Sequence, residues 1–365
     1  MIAELCPDGV KFGTLADIGD VCMCKRIFKE QTETVGDIPF YKIGTFGKEP
    51  DAFISKKLFN EYREKYSFPK AGDILISAAG TIGRTVIYNG QPAYFQDSNI
   101  VWVDNDESKL LNKFLYYLFS LQPWAISTGG TISRLYNDNI RKTVVPLPPL
   151  QIQREIVRIL DNFTELTAEL TVELTARKKQ YNYYRDELLT FGDDVPMVTL
   201  GDVYDFQYGT GNTIPTSGGQ YPVYGSNGIV GQHSEYNSEN SPVIGHIGAY
   251  AGIVNWGHGK HFVTYNGVIC RLKNYSFSSK FAYYLLLIQD FGSKAKSASH
   301  PFVSYETLKE PLVPLIPLEE QARIVAILDR FDILTTDITS GLPAEIAARQ
   351  KQYEYYRDKL LSFGT

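Results

Sequence analysis

Two sets of loop residues carry the candidate chemistry of this chain. Lys25, Arg26, Lys42, Thr45, Arg84, Gln96, Asn99, Thr131, Ser133 and Arg134 fall between residues 12 and 143. Tyr224, Ser226, Asn227, His246, Tyr250, Asn266, Lys294, Lys296, Ser299 and His300 fall between residues 197 and 311. Arg and Lys suit the acceptor edge of guanine, Asn and Gln suit adenine, and Thr can meet a thymine methyl group. Polar, aromatic and glycine-rich loops of this kind are suited to reading base-pair edges. Each type is also an ordinary loop residue, so the expectation attaches to the clusters more than to any member.

Catalysis needs a constellation, and the common ones do not assemble from this sequence. Gly257-His-Gly-Lys260 lacks the spacing and the Ser/Thr of a phosphate loop. The cofactor glycines and the Asn/Asp-Pro-Pro-aromatic segment of an adenine methyltransferase are missing. Glu107-Ser-Lys109, beside Asp104 and Asp106, fits a solvated turn before a helix better than a nuclease. Gly80-Thr-Ile-Gly83 fits a strand turn better than a phosphate cradle. His233, His246, His258, His261 and His300 have no metal-like spacing, and Cys6, Cys22, Cys24 and Cys270 form neither a disulfide framework nor paired ligand spacings. No metal or cofactor is expected.

Composition sets the frame. A chain of 365 residues with 44% hydrophobic and 21% charged residues is long enough for two or three globular domains with real cores. The formal charge of −5 argues against a stand-alone nucleic-acid binder, which should show a basic footprint. It allows segregated charge, or a complex whose other subunits supply most phosphate contacts. Met1 to Val10 lacks a basic start and contains Glu4 and Asp8, and the apolar runs 114–119 and 281–288 are too short to span a membrane. A cytoplasmic protein without membrane contact is expected.

The elements that must position the loops are revealed by a repeat. Residues 144–192 return at 312–365: Pro146 matches Pro314, Asp161 matches Asp329 and Phe163 matches Phe331, at a constant offset of 168. Four extra residues near Gly341-Leu342-Pro343 then shift the offset to 172, with Tyr184 on Tyr356. In the first copy Ile152, Ile156, Ile159, Phe163, Leu166 and Leu170 form a coiled-coil seam, which resumes after Leu174 through Arg177, Tyr181, Tyr184 and Leu188. The TAEL/TVEL segment behaves as a four-residue stutter. The second seam runs Ile324, Ile327, Phe331, Leu334, Ile338, and the glycine and proline predict a break near 341–343 with a restart at Ala344. Each copy is about forty residues, or roughly 60 Å if continuous, and its apolar stripe needs a partner. The other copy, antiparallel, is the expected partner.

The segments between the helices also echo one another. Short strands are expected at 39–44, 72–77, 85–88 and 100–103, then a helix at about 109–121 and a polar loop at 127–134. Leu200-Gly-Asp-Val echoes Leu15-Ala-Asp-Ile, and Lys280-Phe-Ala-Tyr-Tyr-Leu285 echoes Lys113-Phe-Leu-Tyr-Tyr-Leu118. The plan is domain, helix, domain, helix, in two diverged copies. Approximate two-fold symmetry with unlike heads implies two unlike half-sites.

The V-P-L-x-P-L helix entries, with R-I-L-D-x-F, K-Q-Y-x-Y-Y-R-D and T-A-E-L, resemble the specificity subunit of type I restriction-modification enzymes. The T-A-E-L element is similar to the IC subfamily. The resemblance implies an α+β chain with two target recognition domains of mixed sheet, at 1–143 and 193–311. Two long helices, at 144–192 and 312–365, would form an antiparallel coiled coil separating them. It further implies a non-catalytic, sequence-specific binder of double-stranded DNA that reads an asymmetric bipartite site. The partners implied are two adenine methyltransferase subunits docked on the helices, joined by restriction (nuclease and translocase) subunits. A coiled-coil scaffold without DNA specificity and a self-sufficient DNA-modifying enzyme are the alternatives. On this reading the number of four-residue units sets the gap between half-sites.

Overall fold

The structure, a computed structural model, describes residues 5–125, 134–211, 214–215, 218–296 and 299–363. The chain divides into two units, Met1–Glu169 with Ile346–Thr365, and Leu170–Glu345.

In the first unit β1 (Phe12–Thr14), β2 (Gly19–Cys22), β3 (Ile38–Tyr41) and β4 (Phe53–Ile54) precede α1 (Lys56–Lys65). Then come β5 (Ile74–Ser77), β6 (Thr85–Ile87), β7 (Tyr94–Phe95), β8 (Ile100–Asn105), α2 (Asn112–Ser120), α3 (Asn137–Arg141), β9 (Val144–Pro146) and the start of α4 (Leu150–Leu188). Strands β2-β8-β5-β6 make an antiparallel sheet, and β4-β3-β7 a second sheet in which β3 and β7 run parallel. All four residues of β5 are buried, because it is a central strand with both faces covered. A two-stranded clasp closes the domain, with Phe12 opposite Pro146 and Thr14 opposite Val144.

The second unit repeats the plan with β10 (Met197–Thr199), α5 (Leu200–Val203), β11 (Tyr204–Tyr208), β12 (Tyr221–Gly225), β13 (Gly228–His233), β14 (Ser238–Gly245), β15 (Val254–Val263) and β16 (Gly267–Leu272). It continues through α6 (Ser279–Leu287), α7 (Tyr305–Lys309), β17 (Leu312–Pro314) and α8 (Leu318–Thr336), and α9 (Leu342–Leu361) returns to the first unit. Here one six-stranded sheet, β11-β16-β14-β15-β12-β13, replaces the two smaller ones. The reason lies in β15. It serves β14 with its first part and β12 with its last, whereas in the first unit those roles fall to β6 and β7. Between β6 and β7 stand Gly90, with φ +81°, and Pro92, which has no N–H for a ladder. The matching clasp pairs Met197 with Pro314 and Thr199 with Leu312.

The two helical copies pair within each unit. In the first, Phe163 of α4 stacks on Tyr356 of α9 with ring centroids 5.4 Å apart, and Leu361 and Phe363 join the core around Ile156 and Leu160. As α4 advances, α9 therefore recedes, which is the antiparallel sense. In the second, Phe331 of α8 stacks on Tyr184 at 5.7 Å and meets Tyr181 at 6.3 Å. Two details differ from the seam expected from spacing. Leu160, fully buried, takes the inward place assigned to Ile159, because the first turns of α4 pack on the domain core. Ile338 lies beyond the end of α8 and is 80% exposed. The break spans 337–341, and the helix restarts at Leu342 instead of Ala344, since proline is tolerated in a first turn. Asp337 holds the break through the Thr339 amide (2.7 Å) and the Ser340 hydroxyl (2.6 Å), and these bonds bring its carboxyl down to about 2.

Each head is fixed to its helix by the same set of bonds. Gln153, wholly buried, accepts from the Leu111 amide (2.8 Å) and donates to the carbonyls of Lys109 (2.8 Å) and Pro148 (2.7 Å). Gln321 accepts from the Ser278 amide (2.7 Å) and donates to Ser276 (2.7 Å) and Ile316 (2.9 Å). Tyr117 donates to Asp161, which also faces Lys113 at 3.2 Å, and Tyr284 donates to Asp329, which faces Lys280 at 3.8 Å. Replacing Gln153 or Gln321 by Ala strands one amide and two carbonyls. The expected loss is about 3 kcal/mol in either unit, measured by urea denaturation. A loss below about 1 kcal/mol would mean that water takes the glutamine's place.

Candidate functional site

In the first unit the strand register brings the predicted loops to one edge. Phe40 pairs with Tyr94 and Tyr41 with Phe95 in parallel, so loops 42–47 and 96–99 leave at the same end. Ser77 faces Ile100 across β5 and β8, which places loop 78–84 beside them. Backbone bonds tie the set together: Gln96 donates to Tyr41 (3.0 Å), Ala78 to Asn99 (2.8 Å) and Leu135 to Ala78 (2.9 Å). Gly80 and Gly83, with φ +64° and +80°, make the 78–84 segment a strand turn.

The side chains on this edge divide into supports and free faces. Gln96 accepts from the Ile43 amide (2.9 Å), Thr45 from the Lys42 amide (3.2 Å), and Arg84 donates to the Phe46 carbonyl (2.8 Å). Arg134 donates to the Ser98 carbonyl (2.7 Å), holding two loops in register. Arg26 pairs with Asp97 at 2.9 Å and Lys42 with Asp51 at 2.9 Å. The Lys42 pair is exposed on both sides and worth about 0–1 kcal/mol, so an incoming phosphate could take over that cation at little cost, whereas Asp97 is largely buried and holds Arg26 more firmly. Lys25 lies over the Tyr66 ring, 5.2 Å from its centroid. Thr131 and Ser133 lie outside the described residues.

The second unit assembles the corresponding edge. Val223 and Tyr224 pair in parallel with Phe262 and Val263, and Gly245 faces Gly267, so the turns after β12, β14 and β15 converge. The Ser226 hydroxyl reaches both Ile247 O (2.8 Å) and Asn266 O (3.0 Å), joining all three. A Cβ on Gly245 would stand 2.3 Å from Tyr250 O and 2.6 Å from Ser226 O, so only glycine allows this convergence. Residues 299–302 close the set through Gly248 N to Pro301 O (2.8 Å). On this edge Asn227 is exposed and Asn266 half-buried, Lys296 pairs with Glu306 at 3.2 Å, and Lys294 lies 5.9 Å from the Phe291 centroid. Ser299 and His300 are exposed and lie within 3.4 Å of each other.

Two expected readers are supports instead. Tyr224 is 5% exposed and donates its hydroxyl to Trp256 O at 3.3 Å. His246 is 6% exposed, stacks on Tyr208 at 4.1 Å and has Nδ1 within 3.2 Å of Tyr265 O. Tyr224 is turned inward on β12, and His246, just past the end of β14, is held inward by its stack on Tyr208, a distinction that residue type alone does not carry. Conversely, sequence reading passes over Gln153 and Gln321, whose signal is their match at the repeat offset, and over Ile247 and Tyr265, which give none.

Groups that could serve catalysis are occupied structurally. Asp104 pairs with Lys70 (2.9 Å), Asp106 accepts from the Ser108 amide (2.9 Å), and Glu107 caps α2 at the Asn112 amide (2.7 Å), so the acids form the expected turn. Burial pushes the Cys24 thiol up to about 12 and that of Cys270 well above its ordinary value. Among the described residues no group of three His, Cys, Asp or Glu side chains could hold a metal, and no helix is long and apolar enough to cross a membrane.

His261, fully buried, bonds Gly259 O at 2.9 Å, and burial lowers its pKa below 6.5. The unfolded chain therefore binds this proton at a higher pH than the folded one. Stability should be fully present above the ordinary histidine range and fall as pH drops through 6.5 toward the lower folded value. The thermal midpoint of the second unit should decline between pH 7 and 5.5, and His261→Gln should flatten that decline. An unchanged slope in the variant would assign the effect to other groups.

A family model described as type I restriction modification DNA specificity domain matches residues 7–177 and 192–348. A putative type I restriction enzyme specificity subunit of Haemophilus influenzae is 59% identical over 181 residues, covering 48% of this chain and 47% of that protein. This chain therefore aligns to about half of that relative's length. The EcoprrI specificity subunit of Escherichia coli is 32% identical over 332 residues, covering 83% of this chain and 82% of its own. The crystal structure of a type I restriction-modification S subunit from M. genitalium superposes with a TM-score of 0.64 at 18% identity, over 98% of this chain and 97% of that one. A chain from a structural study of type I complex assembly and conformational transition gives 0.59 at 18% identity, over 97% and 98%.

Proposed function

Because this chain belongs to the type I restriction-modification DNA specificity family, we propose that it is the non-catalytic subunit that selects the DNA sequence for a type I complex. Residues 1–143 and 193–311 would be the two recognition domains, each reading one half of an asymmetric site. The carrying observation is the repeated framework with unlike edges. The Gln153 and Gln321 bonds and the Tyr–Asp–Lys sets are the same in both units, while the edges differ, with Lys42, Arg84 and Arg134 on one and Asn227, His246 and Tyr250 on the other. A duplicated mount with two different reading surfaces suits a bipartite target.

The paired helices would separate the heads and dock two adenine methyltransferase subunits, which restriction subunits then join in the cytoplasm. Phosphate contacts supplied by those partners would account for a chain of net charge −5 acting on DNA. Lys42, Arg26, Lys294 and Lys296 would meet phosphates, and Asn99, Asn227, Asn266 and Tyr250 would meet base edges.

A map of adenine methylation in cells carrying this chain with its methyltransferase partner tests the reading. Two unlike short blocks around a fixed unspecified gap, absent without the chain, are expected. An assembled complex that adds no motif would favour a scaffold.

A further inference from the structure

The two edges carry opposite chemistry at equivalent backbone positions. The bonds Ala78 to Asn99 and Leu135 to Ala78 correspond to His246 to Asn266 (2.8 Å) and Val303 to His246 (3.0 Å). That register equates Ala79 with Ile247, Ser98 with Tyr265 and Arg134 with Phe302. Where the first edge is small, hydroxylic or cationic, the second is apolar. Ile247 is 40% exposed, Tyr265 46% and Tyr250 49%.

These side chains are rigidly mounted. Tyr265 meets His246 edge-on at 5.3 Å, His246 stacks on Tyr208 at 4.1 Å, and Tyr208 stacks on Tyr305 at 4.1 Å. The Tyr208 amide donates to the Tyr305 hydroxyl at 2.8 Å, which anchors the column to the backbone. Ser226 fixes the carbonyls of Ile247 and Asn266, and Ile247 and Lys296 both bridge to Phe302, so a basic loop borders the patch. Stiff apolar side chains flanked by cations are the means by which proteins part a base step: unstacking costs a few kcal/mol and is offset by the contacts of the bent duplex.

We propose that Tyr265 and Ile247 form a wedge that enters one base step of the second half-site and partly unstacks it. The proposal rests on the DNA-selecting function above. The second head would then read deformability as well as base edges, whereas the first head reads by hydrogen bonding.

The test uses the complex with its methyltransferase partner and a duplex carrying the mapped site. A fluorescent analogue that keeps the base pairing, 2-aminopurine for adenine or pyrrolocytosine for cytosine, is placed in turn at each such position of the second half-site, on either strand, except the methylated adenine. Fluorescence should rise on binding at one step. Tyr265→Ser with Ile247→Ala, the residue types of the first head, should abolish the rise and weaken specific binding roughly tenfold or more. The salt dependence should be unchanged, since no phosphate contact is lost. Tyr265→Trp should keep both the rise and the affinity, which separates wedge loss from misfolding. A wild-type complex that methylates the site while no position brightens overturns the wedge. So do variants that bind DNA normally but lose the methyltransferase, which would make the patch a protein interface. Failure of the underlying function looks different, because the wild-type complex would then show no specific methylation at all.

Discussion

Exchanging residues 12–143 for the same segment of another family member should replace one block of the methylated motif and leave the other block and the gap unchanged. The site previously methylated should be lost from the map. Each altered base pair costs about 1–3 kcal/mol, so a change at as few as three would lower its affinity by roughly a hundredfold or more. The exchange cuts the clasp next to the Thr14–Val144 pair, where only backbone bonds of a two-stranded ladder must be rebuilt. It also brings in a new α2, and there the side chains matter. Asp161 remains on α4 and needs the donor's equivalents of Lys113 and Tyr117.

A donor with Phe in place of Tyr117 should therefore give a weaker chimera. The hydroxyl bond to a carboxylate is worth about 1.5–3 kcal/mol, part of which Lys113 retains for Asp161. Tyr117→Phe in the parent chain calibrates that loss by urea denaturation. A chimera in which both methylated blocks change would show that the first domain does not act as a separate reader.

Much of this architecture is legible in the sequence because the framework is duplicated. Asp161 and Asp329, or Lys113 and Lys280, are recognisable as a constraint before any contact is seen, since the same residues recur at offsets of 168 and 167 amid divergent loops. The spacing of apolar residues gives the paired helices, and Gly341 with Pro343 gives the break. Burial on the reading edges is less legible. Tyr224 and Asn227 lie three residues apart in one turn region, yet one is core and the other exposed, because a pleat and a bulge between Val223 and Tyr224 decide which way each points. Ile338 departs from its expected place for a related reason. Periodicity continues past the point where Asp337 captures its own neighbouring amide at Thr339 and ends the helix. The merging of two sheets into one likewise goes with the absence of a Gly90–Pro92 interruption in β15, a local difference whose effect depends on which strands lie on either side.

Inserting one further Thr-Ala-Glu-Leu unit after Leu174 should widen the gap between the two methylated blocks by one base pair and leave both blocks intact. The unit lies on α4, which runs unbroken from Leu150 to Leu188, and Val172 beside it is 70% exposed, so four added residues continue the helix without displacing a core. They lengthen it by about 6 Å and rotate the C-terminal part of the helix by about 40° beyond a full turn. The rotation is close to that of one base pair at 10 to 10.5 pairs per turn, whereas the rise exceeds one base-pair step of about 3.4 Å. Rotation should decide the register, because a head turned away from its groove makes no base contact at all, while a small axial excess can be taken up by tilt. The opposite copy must lengthen too. Phe163–Tyr356 lies before the insertion and Tyr184–Phe331 after it, and between Phe331 and Tyr356 the chain passes through the non-helical 337–341 segment, whose five residues can extend by about 3.3 Å each. Shortening that segment in the insertion variant should restore strain and reduce methylation at the widened site. Mapping methylation for both variants decides the matter: altered blocks with an unchanged gap would refute the spacer function of the helix.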